Sequence, residues 1–134
     1  MSKDVLIKLS KELGFSEQEI AVPIDYYFSG NNVIGSIMPN SYPNEVDPQK
    51  FYSFLKKLKQ NENVQEILVR ICEIDDEWPY TDSIYVYTCL SKDELEKKFK
   101  PFPADEIYEG WMYNEPNGRV AIIEPNKVFT IWWD

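Results

Sequence analysis

The densest run of groups able to do chemistry is Asp75-Asp76-Glu77-Trp78-Pro79-Tyr80-Thr81-Asp82, which holds four carboxylates and two aromatic rings. Carboxylate oxygens suit calcium, but the run lacks the spacing and the glycine of an EF-hand loop. A glycosidase pair needs two acids about 5–9.5 Å apart across a sugar-sized cleft, and neighbours in sequence supply no such cleft. Two readings remain. The run is an acidic and aromatic recognition loop, in which Trp78 and Tyr80 anchor a partner and Asp75, Asp76, Glu77 and Asp82 steer a basic one. Otherwise it is a solvated hairpin loop whose Trp78 and Pro79 fold back on the sheet edge.

A second run of the same chemistry is Asp105-Glu106-Ile107-Tyr108-Glu109-Gly110-Trp111-Met112-Tyr113. Read as an edge strand, it places Ile107, Glu109, Trp111 and Tyr113 on one side. If the sheet brings this run beside the first, Glu109 and Trp111 extend one negative, aromatic-lined concavity.

Other chemistries are excluded by residue type. The chain has no histidine, which removes Ser-His-Asp and Cys-His nucleophile systems, His-ligated zinc and a histidine pH switch. Gly30 and Gly35 lack the spacing of a phosphate cradle. Ser53 and Lys56 match Ser-x-x-Lys in letters, yet they lie in a basic helix without the companion motifs. Cys72 and Cys89 show no ligand-like spacing and read as buried or half-buried free thiols. A short symmetric hairpin, with Ile74 opposite Ser83, sets Cys72 against Tyr85 and gives no disulfide. No metal and no cofactor are expected.

Charge narrows the partners. Among 134 residues, 14 Lys and Arg stand against 23 Asp and Glu, for a net charge of −9. The residues expected to be helical carry the positive excess, so the acidity sits on the strands and their loops. Lys50, Lys56, Lys57 and Lys59 share one helix, and a basic face of that size reads as solvated surface. Nucleic acid is therefore not an expected partner. No apolar run approaches the roughly 20 residues that span a bilayer, and Lys8 cuts Val5-Leu6-Ile7 too early for a signal segment. A cytoplasmic protein is expected.

The elements that position these residues follow from periodicity. Leu6, Leu9 and Leu13 mark a helix over 4–13, closed by Gly14. Ser16 and Glu19 match a capping box, although Pro23 limits any helix there to a turn or two. Residues 24–28 and 33–38 are rich in β-branched and aromatic types around Ser29-Gly30-Asn31-Asn32, which predicts a hairpin. Residues 39–44 form a loop. Asp47 and Pro48 open a second helix to about Gln60, with an apolar stripe of Phe51, Phe54, Leu55 and Leu58. Residues 64–74 and 83–90 alternate with period two and pair as antiparallel strands. Ser91 and Glu94 open a short helix to about Phe99, and strands follow at 108–113, 119–124 and 128–133.

The order α-β-β-α-β-β-α-β-β-β implies a single α+β domain over residues 1–134. Its architecture is a two-layer sandwich, with a mostly antiparallel sheet of about six to seven strands and three helices. The last strand is bulky on both faces, with Val128, Thr130 and Trp132 on one and Phe129, Ile131 and Trp133 on the other. Helices hide only one face. A loop or the N-terminal segment covers the second, or that face meets a partner or a second copy through Trp132 or Trp133.

These observations favour a non-enzymatic cytosolic protein that works by protein–protein contact. One concrete form is an acidic immunity or inhibitor protein against a basic, nuclease-like toxin. The contact residues are Asp75, Asp76, Glu77, Trp78, Tyr80, Asp82, Glu109 and Trp111, and none is assigned a catalytic role. The alternatives are a ligand-binding or enzymatic domain with a pocket on the aromatic sheet face, using Asp75, Asp82 or Glu109, and a self-associating structural domain.

Overall fold

A computed structural model describes residues 2–38 and 46–134. In chain order the elements are helix α1 (Lys3–Glu12), strand β1 (Ala21–Pro23), helices α2 (Ile24–Phe28) and α3 (Pro48–Lys59), strands β2 (Val64–Arg70) and β3 (Ser83–Thr88), helix α4 (Lys92–Lys98) and strands β4 (Glu106–Glu109) and β5 (Lys127–Trp132). The loop expected over residues 39–44 lies outside the described residues.

Local chemistry explains the helices that the sequence announces. Ser2 caps α1 and Asp47 caps α3, where the carboxylate accepts the Gln49 amide at 2.9 Å and proline takes the first turn. At α4 the capping box closes in both directions between Ser91 and Glu94.

The sheet has five strands in the order β1-β2-β3-β5-β4, and every pairing is antiparallel. The α+β class holds, with four helices and five strands among the described residues in place of three and six to seven. Val69 pairs with Ile84 and Leu68 with Tyr85, so Cys72 does not face Tyr85: the real register is displaced by four residues from the shortest symmetric hairpin. A bulge at Gln65 turns Val64 into the same core as Ile67 and Val69.

All four helices lie on one face. Leu6, Phe28, Phe51, Leu55, Leu95 and Phe99 pack there against Ile67, Val69, Ile84, Val86, Phe129 and Ile131. The other face carries Ala21, Leu68, Tyr85, Tyr87 and Val128, and Trp111 and Met112 fold over it. A loop thus covers the second apolar face. Of the two C-terminal tryptophans, Trp133 is buried in the helix-side core and Trp132 is half-buried on the opposite face.

Four expected elements take another form. Residues 24–28 make the single-turn helix α2, because Ile24, Tyr27 and Phe28 at i, i+3 and i+4 reach the core together and outweigh their β propensity. Residues 33–36 turn instead of extending, and Ile37 makes only an isolated bridge to Thr81: Asn31 accepts the Val33 amide at 3.0 Å and donates to Ser36 Oγ at 2.9 Å. The Ser16 and Glu19 match opens no helix, since Ser16 lies at φ +80° and the Glu19 carboxylate is held by Arg70. Residues 119–124 pair with no strand; the side-chain amide of Gln65 binds Ala121 O at 2.7 Å and the Ile123 amide at 3.0 Å in place of a ladder.

Candidate functional site: an acidic loop on a rigid mount

Beyond the ends of β2 and β3 the chain stays paired. The Cys72 amide donates to Tyr80 O and the Tyr80 amide to Glu73 O, each at 3.0 Å, which leaves a tight tip over residues 74–79. Glu73 turns its carboxylate inward to accept the Ile74 and Asp75 amides.

Buried aromatic groups fix the tip from below. Trp78 is only 7% exposed and donates Nε1–H to Tyr27 O at 3.0 Å. The Tyr27 hydroxyl, wholly buried, lies 2.6 Å from Ser36 O and 2.7 Å from Pro79 O and shares its one proton between them. Burial pushes that phenol far above its ordinary pKa, so it stays a neutral donor at all physiological pH. The Thr81 amide to Ser36 O and the Met38 amide to Thr81 O, both 2.9 Å, stitch the 36–38 segment alongside.

On this mount Asp75, Asp76 and Glu77 stand exposed, and none joins an ion pair among the described residues. Tyr80 is half-buried beside them. Desolvation raises its phenol pKa, and the neighbouring Glu73, Asp76 and Asp82 charges add to the shift. Asp76, Glu77, Trp78 and Tyr80 share a shallow hollow of about 200 Å3 with Val33 to Ser36, and Ile34 at its edge is 51% exposed. Among the described residues no three Cys, Asp or Glu side chains gather to hold a metal ion.

The remaining expected contact residues lie elsewhere. Asp82 belongs to a polar group on the sheet's second face, where it accepts from Trp132 Nε1 at 3.2 Å and approaches Arg70 Nη1 at 3.4 Å. Glu109 ends β4 and lies 3.6 Å from Lys127 Nζ, an exposed pair of small energetic weight. Trp111 is not on a strand: Gly110 at φ +103° ends β4, and the indole folds back edge-on against Tyr85 at 5.0 Å and Tyr87 at 5.9 Å. Asp75–Tyr80 and Glu109 form no common concavity. Strand β5 separates β3 from β4, and Glu109 sits opposite Phe129, at the far end of the sheet from Ser83 and Trp132.

Sequence reasoning passed over Arg70, Ser83 and Tyr85. Arg70 binds Glu19 through Nε at 2.8 Å and reaches Cys72 Sγ through Nη1 at 3.0 Å. The available signal was an arginine closing the apolar run Ile67-Leu68-Val69. Cys72 is half-buried beside it, and burial raises its thiol pKa despite the guanidinium; Cys89 is exposed, not buried as expected, and both thiols are free. No helix among the described residues is long and apolar enough to cross a membrane.

No solved structure matches the chain. A protein of Escherichia coli (strain K12) described as "Uncharacterized protein YfbO" is 35% identical over 113 residues, which cover 83% of this chain and 80% of that protein. Residues 1–132 match the corresponding family throughout, and the chain therefore belongs to the family described as uncharacterized protein YfbO.

Proposed function

We propose that the protein acts by protein–protein contact, presenting Asp75, Asp76 and Glu77 to a basic partner. The observation that carries this reading is the combination of three exposed, unpaired carboxylates with a loop fixed by Trp78 and Tyr27. Unpaired carboxylates at a loop tip raise the encounter rate with a cationic surface. A loop already ordered loses little conformational entropy on docking. Ile34 and Tyr80 supply apolar surface within the acidic rim, the arrangement of an interface core and its edge. Trp78 serves as the mount and not as a contact residue. A non-enzymatic inhibitor or immunity protein acting in the cytoplasm against a basic, nuclease-like protein is the most concrete form of this function.

The test is capture from lysate with the native chain and with Asp76→Lys/Glu77→Lys, at low salt and at about 0.5 M, where exposed charges are strongly screened. The reading expects a basic protein retained by the native chain at low salt only, and not retained by the variant. Retention that ignores both the salt and the two substitutions overturns it.

A further inference from the structure

The second face of the sheet holds polar atoms that this contact does not use. The Arg70 side chain is 12% exposed, with Nε on Glu19 and Nη1 on Cys72 and Asp82, while Nη2 has no partner among the described residues. The β2–β3 register, with Val69 opposite Ile84, carries Ser83 across from Arg70 and places Tyr85 two residues along on the same face. Both hydroxyls are completely buried and neither has a hydrogen-bond partner among the described residues. The Met112 backbone neighbours the Tyr85 hydroxyl without forming a hydrogen bond to it, and Arg70 and Glu19 both act on that hydroxyl electrostatically. Buried hydroxyls without partners are uncommon and unfavourable. Two of them, side by side and next to a buried guanidinium, indicate a molecule that completes them.

Access and roof are both present. A pocket of about 290 Å3, lined by residues 15–19, Arg70, Cys72 and Asn114, opens onto the guanidinium; this is the small end of the range for ligand sites. The strap from Trp111 to Asn114 roofs the hydroxyls, with Trp111 on Tyr85 and the Tyr113 ring over Arg70 at 5.0 Å. Among the described residues its backbone makes no backbone hydrogen bond, and the packing of Trp111 and Met112 on the second-face core and of Tyr113 on Arg70 holds it down.

Charge selects the ligand. Glu19 and Asp82 offset Arg70, so an anion meets two carboxylates and a cation meets the guanidinium. A neutral molecule whose hydroxyls both donate and accept fits Ser83, Tyr85 and Nη2 alike, while Phe15 and Tyr113 offer apolar surface to its C–H faces. We propose that the pocket beside Arg70, which stops short of Ser83 and Tyr85 while the strap is down, binds a small uncharged polyol, about one sugar ring in size, which reaches the two hydroxyls when the Trp111–Asn114 strap lifts.

The test follows the indole N–H resonances and the melting temperature of the full chain with glucose and with myo-inositol, using acetate and ethylammonium as charged controls. The expected result is a saturable shift of the Trp111 and Trp132 resonances by at least one polyol and by neither ion. Tyr85→Phe should melt higher than the native chain, having lost an unpartnered hydroxyl, and bind that polyol at least about tenfold more weakly. No saturable shift with either polyol, or equal affinity in Tyr85→Phe, overturns the site. A lower melting temperature for Tyr85→Phe overturns its premise, since ordered waters then complete the hydroxyls in the free protein.

Discussion

Trp78→Phe separates a mount from a contact residue. In the folded chain the indole is 7% exposed and its N–H reaches Tyr27 O, a carbonyl at the end of the five-residue helix α2. Phenylalanine cannot donate, so the bond is lost and a carbonyl at a helix end goes without its partner, at about 1–3 kcal/mol for a buried polar group. The smaller ring also leaves unfilled volume, which adds a further fraction of the roughly 24 cal/mol per Å3 typical of residual cavities. A total of about 2–3 kcal/mol is expected, a large share of the 5–15 kcal/mol that stabilises most domains. For a chain of this length that corresponds to a fall in Tm of about 6–15 °C. Urea unfolding followed by circular dichroism gives the free-energy change, and calorimetry gives Tm. A loss below about 0.5 kcal/mol, the size of an ordinary surface substitution, refutes the docked indole and with it the rigid presentation of Asp75, Asp76 and Glu77.

Asp76→Lys/Glu77→Lys should change stability by less than about 0.5 kcal/mol, because neither carboxylate has a partner among the described residues; a larger loss by urea titration contradicts their free exposure. Gly118→Ala should cost more than about 3 kcal/mol, since its Cβ would stand 2.1 Å from Ala21 O at φ +92°, whereas Gly35→Ala, with open space around its Cβ at φ +91°, should cost about 1–2 kcal/mol from backbone strain alone. Parallel denaturation curves compare the two. Tyr27, Tyr85 and Tyr87 all have phenol pKa values raised by burial from 10.0, so the folded state holds their protons more tightly and stability is complete below about pH 10, then falls as pH rises further. Tyr27→Phe should flatten that alkaline slope by up to about 1.4 kcal/mol per pH unit, and an unchanged slope in pH-dependent urea titrations contradicts its burial.

Much of the fold is legible in the chain because the signals are local. Asp47-Pro48 and Ser91-x-x-Glu94 set helix starts through bonds within a few residues, and the alternation in 66–70 and 83–88 sorts side chains to the two sheet faces without knowledge of any partner strand. Local signals mislead where a distant surface outbids them. Residues 24–28 carry strand-forming types but coil into a helical turn, because that turn delivers Ile24, Tyr27 and Phe28 to the core. Val120 to Ile123 look like a strand, but the Gln65 side-chain amide binds their backbone where a partner strand would.

The candidate site divides the same way. Composition and charge placed the acid at residues 75–77 and both aromatic rings beside it, since those properties belong to the residues themselves. Which ring serves as mount, that Glu109 stands at the opposite end of the sheet, and that Arg70 lies beside two buried hydroxyls without partners were decided by tertiary structure alone. Burial and pairing depend on strand order and register, and those are set by every long-range contact at once and encoded in no single segment.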